Sequence, residues 1–66
     1  MRAVVGFPDP SIIGQYRTFG EYGPTYRVLR ALEMRNGEWF VRILVVESGE
    51  ETDYPYAKAA QDPSPN

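Results

Sequence analysis

Residues 26–46 read YRVLRALEMRNGEWFVRILVV, and the dipeptide Asn36-Gly37 near the middle of this stretch decides the fold. A two-residue type I′ loop requires positive φ at both central positions, and Asn and Gly tolerate that conformation best. The apolar runs on either side are therefore predicted to pair as a β-hairpin, with Arg35 opposite Glu38.

A helix is the competing interpretation of residues 27–35, because most of them are good helix formers, Thr25 could cap the helix and Gly37 could end it. Strand pairing favours the hairpin, since its register gives the two strands a common apolar face. The pairs on that face are Met34 with Trp39, Leu32 with Val41, Arg30 with Ile43, and Val28 with Val45. Arg30 interrupts the face, so either its side chain reaches out at the rim or a bulge near Ala31 shifts the register.

A second turn signal, Ser48-Gly49, tests this register independently. If it is a two-residue loop, the predicted pairs are Val45 with Thr52, Ile43 with Tyr54, and Val41 with Tyr56. Both turns then assign Val41, Ile43 and Val45 to one face, which predicts a three-stranded meander. Pro55 lies on its outermost strand, where a missing backbone donor is tolerated.

The remaining segments complete a small all-β domain. Residues 12–19 are predicted to form a further short strand, Gly23-Pro24 a turn, and residues 56–61 a short C-terminal helical turn. A meander of four to five strands buries one face by curling, so we predict an SH3-like half-open barrel. The predicted core is Ile13, Tyr16, Tyr26, Val28, Leu32, Met34, Trp39, Val41, Ile43, Val45, Tyr54 and Tyr56.

Proline-rich stretches at both ends set the predicted domain limits. Pro8-Asp9-Pro10 predicts a loosely ordered N-terminal arm over residues 1–11, and residues 62–66 are predicted to form a disordered tail. The single β domain is therefore predicted to span residues 12–61.

Composition narrows the function classes, because the 66 residues include no cysteine and no histidine. Disulfides, thiolate zinc sites and Cys or His nucleophiles are excluded, so a metal site would have to be oxygen-only. A carboxylate pair could still serve as general acid and base, but a barrel of 66 residues offers it no pocket, so we expect no enzyme, no cofactor and no metal. The acidic turn at residues 47–53 lacks the ligand pattern of a calcium loop, and solvated surface charge explains it. The longest apolar run, residues 43–46, is far shorter than the roughly 20 residues that cross a bilayer. We expect a cytoplasmic protein without a membrane contact.

Charge is divided unevenly along the chain, although the net charge is only −2. Residues 1–42 carry six arginines against four carboxylates, a net of +2, and the remainder carries one lysine against five carboxylates, a net of −4. Such polarity can orient a partner or a second copy of the chain.

Three stretches together resemble a family of small proteobacterial proteins of unknown function. They are IGQYRTFG at residues 13–20, GPTYRVL at residues 23–29, and VVESGEETDYP at residues 45–55. The resemblance covers about residues 12–63. It implies no activity, because the family carries no established one.

An apolar patch on the outer face of the predicted sheet is the leading candidate for function. It comprises Leu29, Phe40, Leu44 and Val46, with Arg27, Arg35 and Arg42 as its polar rim. Either Val4, Val5 and Phe7 of the arm fold back over the patch, or the patch is an interface with another chain. We predict a non-enzymatic protein-interaction module, with a protein partner or a homodimer.

A single-stranded nucleic-acid or RNA-binding barrel is the alternative function. Its predicted binding residues are Tyr16, Arg17, Phe19, Tyr22 and Arg27, because aromatic side chains stack on bases and arginines neutralise phosphates. The sequence pI of about 4.9 disfavours this alternative, since nucleic-acid binders are usually basic.

Overall fold

A computed structural model describes residues 5–65 and shows one antiparallel sheet followed by a short helix. The elements are a 3₁₀ turn at Pro10–Ile12, β1 at Tyr16–Thr18, β2 at Thr25–Ala31, β3 at Phe40–Val45, β4 at Glu51–Pro55, and α1 at Tyr56–Gln61. The strand order is β1-β2-β3-β4, so the predicted all-β meander and C-terminal helical turn are confirmed. The sheet is not closed, as expected of a half-open barrel. No helix within residues 5–65 has the length and apolarity to cross a membrane.

The Asn36-Gly37 turn has the predicted conformation. Asn36 has φ of 51° and Gly37 has φ of 77°, the positive values that a type I′ loop requires at both positions. The Arg35 N–H donates to the Glu38 carbonyl over 2.8 Å, and the Glu38 N–H donates back over 2.9 Å. The hairpin is therefore confirmed, and the helical interpretation of residues 27–35 is wrong.

Further from this turn, the register between β2 and β3 changes by one residue twice, first between the Arg35–Glu38 and Ala31–Val41 pairs and then at a β-bulge between Arg30 and Val28. Val28 lies opposite Ile43 rather than Val45, and Arg30 lies opposite Arg42 rather than Ile43. Leu29 is the extra residue of the bulge. The predicted position of Arg30 on the core face is wrong, and the alternative of a register shift near Ala31 is confirmed, because the change between Arg35 and Ala31 places Arg30 opposite Arg42 and turns its side chain to solvent.

The β3–β4 hairpin differs from the predicted register by two residues. Val41 lies opposite Tyr54, and Ile43 lies opposite Thr52. The loop comprises residues 46–49, with the Gly49 N–H donating to the Val45 carbonyl over 2.8 Å and a Gly49 φ of 75°. A shift of two residues preserves the faces, so the two-residue loop is wrong but Val41 and Ile43 still lie in the core.

The core lies on one face of the sheet, beneath α1 and the N-terminal arm. Its buried residues are Phe7, Ile12, Tyr26, Val28, Val41, Ile43 and Ala59, and Ile13, Phe19, Ala31, Trp39, Tyr54 and Tyr56 pack against them. Met34 and Tyr16 were predicted in the core but are each 48% exposed. Met34 lies in the hairpin beyond the paired part of β2, and Tyr16 points to the other face of β1.

Both ends of the ordered domain reach further than residues 12–61. The Phe7 ring packs edge-on against Trp39 and Tyr56, with centroids 5.7 and 5.1 Å apart. The Asp62 carboxylate accepts hydrogen bonds from the hydroxyls of Tyr26 (2.7 Å) and Tyr54 (2.9 Å). Phe7 of the predicted arm and Asp62 of the predicted tail therefore both contact side chains of the sheet.

Candidate functional site: the outer face of the sheet

The outer face is the side of the sheet opposite the core, and its side chains form rows across the strands. One row comprises Tyr16, Arg27, Leu44 and Glu51, each directly opposite the next on β1 to β4. The neighbouring row comprises Arg30, Arg42 and Asp53 on β2 to β4. Phe40 lies beyond that row on β3, and Val46 follows the end of β3.

The apolar residues of the predicted patch are only partly covered. Leu29, Phe40 and Leu44 are half-buried, and Val46 is 51% exposed. Arg35 places its guanidinium 5.1 Å from the centroid of the Phe40 ring, a cation–π contact that covers part of it. Leu44 lies opposite Arg27, so the predicted direct pairing of Leu29 with Leu44 is wrong.

The described part of the N-terminal arm does not cover the outer face. Phe7 is buried in the core on the other side of the sheet, and Val5 is 92% exposed. Val4, which was also predicted as a cover, lies outside the described residues. Within residues 5–65 the arm therefore leaves the patch uncovered, with Val46 exposed and the other three residues half-buried.

Two carboxylates on β4 neutralise two arginines of the outer face and its hairpin. Asp53 binds Arg42 and Arg35 over 2.7 Å each, and Glu51 binds Arg42 over 3.3 Å. Hydrogen bonds from Arg42 and Arg35 lower the pKa of Asp53 below its usual value. The same carboxylates raise the pKa of Arg42, so these charges are paired at neutral pH.

The two outer-face arginines on β2 have no such partners among residues 5–65. Arg27 donates from Nε to the Gly14 carbonyl over 3.3 Å and lies 5.6 Å from the Tyr16 ring centroid. Arg30 is exposed, and no ion pair involves it within the described chain. The outer face is consequently positive along β2, whereas the carboxylates of β4 are paired with Arg42 and Arg35 of the same chain.

The residues predicted for nucleic-acid binding do not form one surface. Phe19 packs in the core with centroids 4.6 Å from Tyr26 and 5.2 Å from Tyr54. Arg17 donates from Nη1 to the carbonyls of Ala59 (3.2 Å) and Asp62 (2.8 Å) at the end of α1. Tyr16 and Arg27 lie together on the outer face. Tyr22, in the β1–β2 loop, is 94% exposed.

A shallow depression adjoins one end of the outer face. It has a volume of about 410 Å³ and is lined by Gly23, Pro24, Thr25, Val46 and Glu47. Within residues 5–65, no three acidic side chains are grouped so that they could hold a metal ion. The carboxylates nearest the outer face bind arginines instead.

Asp62 has a structural role that the sequence did not predict. Besides the two tyrosine hydroxyls, it accepts a hydrogen bond from the Gly20 N–H over 3.2 Å. Burial, then the hydrogen bond and charge of Asp62, raise the pKa of Tyr54 to about 12, and the same causes raise the pKa of Tyr26. No local pattern predicts this contact, because Tyr26 precedes Asp62 by 36 residues.

Comparison with known protein families identifies the family of this chain. The profile of DUF5397, a family of unknown function, matches residues 5–66. The chain belongs to this family. The DUF5397 match confirms the predicted membership of a family of unknown function, and it includes the Phe7 region that the resemblance left out. No curated protein matches the chain.

Proposed function

We propose that this DUF5397 protein is a non-enzymatic protein-interaction module that binds its partner through the outer face of the sheet. The observation that carries the proposal is that Val46 is 51% exposed and Leu44 is half-buried beside it, on a face that the described part of the N-terminal arm does not cover. Exposed apolar surface with a polar rim is typical of interaction sites.

The polar surroundings of the patch support the same function. Arg27 and Arg42 flank Leu44, so an apolar centre adjoins arginines, which are enriched at protein interfaces. The nucleic-acid alternative is less well supported, since Arg17 and Phe19 have structural contacts. We also propose that the protein is bacterial and cytoplasmic, as expected from the sequence.

Site-specific photo-crosslinking in cells that express the protein naturally tests this proposal. A photoreactive phenylalanine analogue replaces Leu44, and in a matched control it replaces Tyr22, which is exposed in the β1–β2 loop. We expect an adduct of higher mass at position 44 and none at position 22, because only position 44 lies on the outer face.

Mass spectrometry of the adduct identifies what the outer face contacts. A polypeptide joined at position 44, whether a second copy or another protein, supports the proposal. Equal labelling at positions 44 and 22, or no protein adduct at position 44, would contradict it.

A further inference from the structure

We infer that the partner of the outer face is a second copy of this chain, packed face to face about a twofold axis that runs parallel to the strands over β3. The inference rests on the proposed function, since it names the occupant of the same surface. It is carried by the order of charges across the sheet.

The first row of the outer face is self-complementary about its third residue. Arg27 on β2 and Glu51 on β4 both flank Leu44 on β3. Neighbouring strands are about 4.8 Å apart, so Arg27 and Glu51 lie at similar distances on either side of Leu44. A rotation of 180° about an axis over β3 exchanges these two positions.

Face-to-face packing about this axis brings opposite charges together. Arg27 of each copy faces Glu51 of the other, and Leu44 packs against its own counterpart at the centre. The second row repeats the pattern, because Arg30 on β2 then faces Asp53 on β4 of the second copy. Arg42 lies under the axis and faces its own counterpart, so Glu51 and Asp53 are shared between Arg42 of their own chain and the β2 arginines of the second copy.

The charges oppose the other symmetric arrangements. If the twofold axis lies in the interface and runs perpendicular to the strands, β2 of one copy lies over β2 of the other. The arginines on β2, Arg27 and Arg30, would then face arginines of the second copy. Pairing along the β4 edge brings Glu51 and Asp53 of one copy against the same residues of the other. Like charges that face each other across an interface disfavour both arrangements.

The size of the face indicates a weak dimer. Four strands at about 4.8 Å spacing and six residues at about 3.4 Å each give a face of roughly 20 by 20 Å. Two such faces cover roughly 800 Å², below the about 1,200 Å² of stable specific interfaces, so we expect a transient dimer with a dissociation constant of about 100 µM.

Sedimentation velocity of charge-reversed variants, measured from about 1 to 500 µM, tests the dimer and its axis together. We expect the wild type to dimerise and Arg27→Glu or Glu51→Arg to weaken association by about 10-fold or more, because each creates two like-charge contacts. An equimolar mixture of the two variants should recover association, since the heterodimer restores both opposite-charge contacts. Lys58→Glu, on the exposed side of α1, is the control and should behave as the wild type.

Arg30→Glu is a second variant in case Arg27→Glu does not fold. It is suitable because Arg30 is exposed beside the bulge. It should also weaken association, with an unchanged circular dichroism spectrum. The inference is overturned if the wild type stays monomeric, if the mixture does not recover association, or if Arg27→Glu strengthens it. A monomeric wild type that is crosslinked at position 44 to a different protein overturns the dimer and leaves the proposed function standing.

Discussion

At the scale of single residues, Asp62 shows that contacts with residues far away in the sequence can fix a segment whose composition predicts disorder. The stretch at residues 62–66 has the composition of a disordered tail, and its proline content predicts nothing else. The structure instead gives the Asp62 carboxylate two tyrosine hydroxyls and one backbone N–H. The sequence could not predict this, because the three donors come from different elements that only the folded sheet brings together.

Asp62→Ala should lower the free energy of unfolding by about 2 kcal/mol, because the Tyr26 and Tyr54 hydroxyls lose their acceptor in a partly buried site. Urea denaturation measures the change. Glu21→Ala, which removes an exposed carboxylate from the β1–β2 loop, is the control and should change stability by less than about 0.5 kcal/mol. Equal effects of the two substitutions would show that Asp62 does not hold the chain end.

Tyr54 should ionise well above the ordinary tyrosine value, with a pKa of about 12. Because the folded state favours the neutral phenol, the stability from this group is complete below pH 10 and is lost as pH rises towards 12. Ultraviolet absorbance of tyrosinate measures the titration. Asp62→Asn should lower the pKa of Tyr54, since it removes the negative charge, and an unchanged value would contradict the assigned cause.

At the scale of elements, the Asn36-Gly37 turn was predictable from local chemistry, whereas the register shift in β2 was indicated only by Arg30 on the predicted core face. Asn36-Gly37 fixes its hairpin because few other residue pairs adopt its two positive φ angles. The register changes by one residue between Arg35 and Ala31, which moves Arg30 out of the core and Ala31 into it, and the bulge at Leu29 then keeps Val28 in the core. The outer positions of Leu44 and Arg27 were predicted correctly, since the register shifts at β3 preserve their faces, but their direct pairing was not.

Arg30 and Val28 distinguish the bulged register from the regular one. Arg30→Ala should change the free energy of unfolding by less than about 0.5 kcal/mol, because its side chain is exposed. Val28→Ala should cost about 2 kcal/mol, since it leaves a cavity beside Ile43. Chemical denaturation of both variants makes the comparison, and similar losses would place Arg30 in the core.

At the scale of the whole molecule, the two faces of the sheet have different roles. The inner face is closed by Phe7 from one end of the chain, and by Ala59 and Asp62 from the other. A chain of 66 residues buries a small core, so each of these contacts matters for stability. The outer face keeps its apolar residues accessible. That division follows from strand parity for most positions, but the closing segments could not be predicted, because composition alone makes both ends look disordered.

Phe7→Ala should lower the free energy of unfolding by about 3 kcal/mol, because it removes a buried ring that packs on Trp39 and Tyr56. Val5→Ala is the matched control on the same segment and should have little effect, since Val5 is exposed. Thermal denaturation followed by circular dichroism compares them. Equal melting temperatures would show that the arm does not close the core.

The central claim is that the outer face is open in the isolated chain. Methyl NMR with a soluble gadolinium chelate measures this directly in the monomer, which Arg27→Glu provides if the wild type dimerises. We predict strong broadening of the Leu29, Leu44 and Val46 methyl signals, while those of Val28 and Ile43 stay sharp because they are buried. Leu44 methyls as protected as those of Ile43 would contradict the claim, since another part of the chain would then already occupy the face.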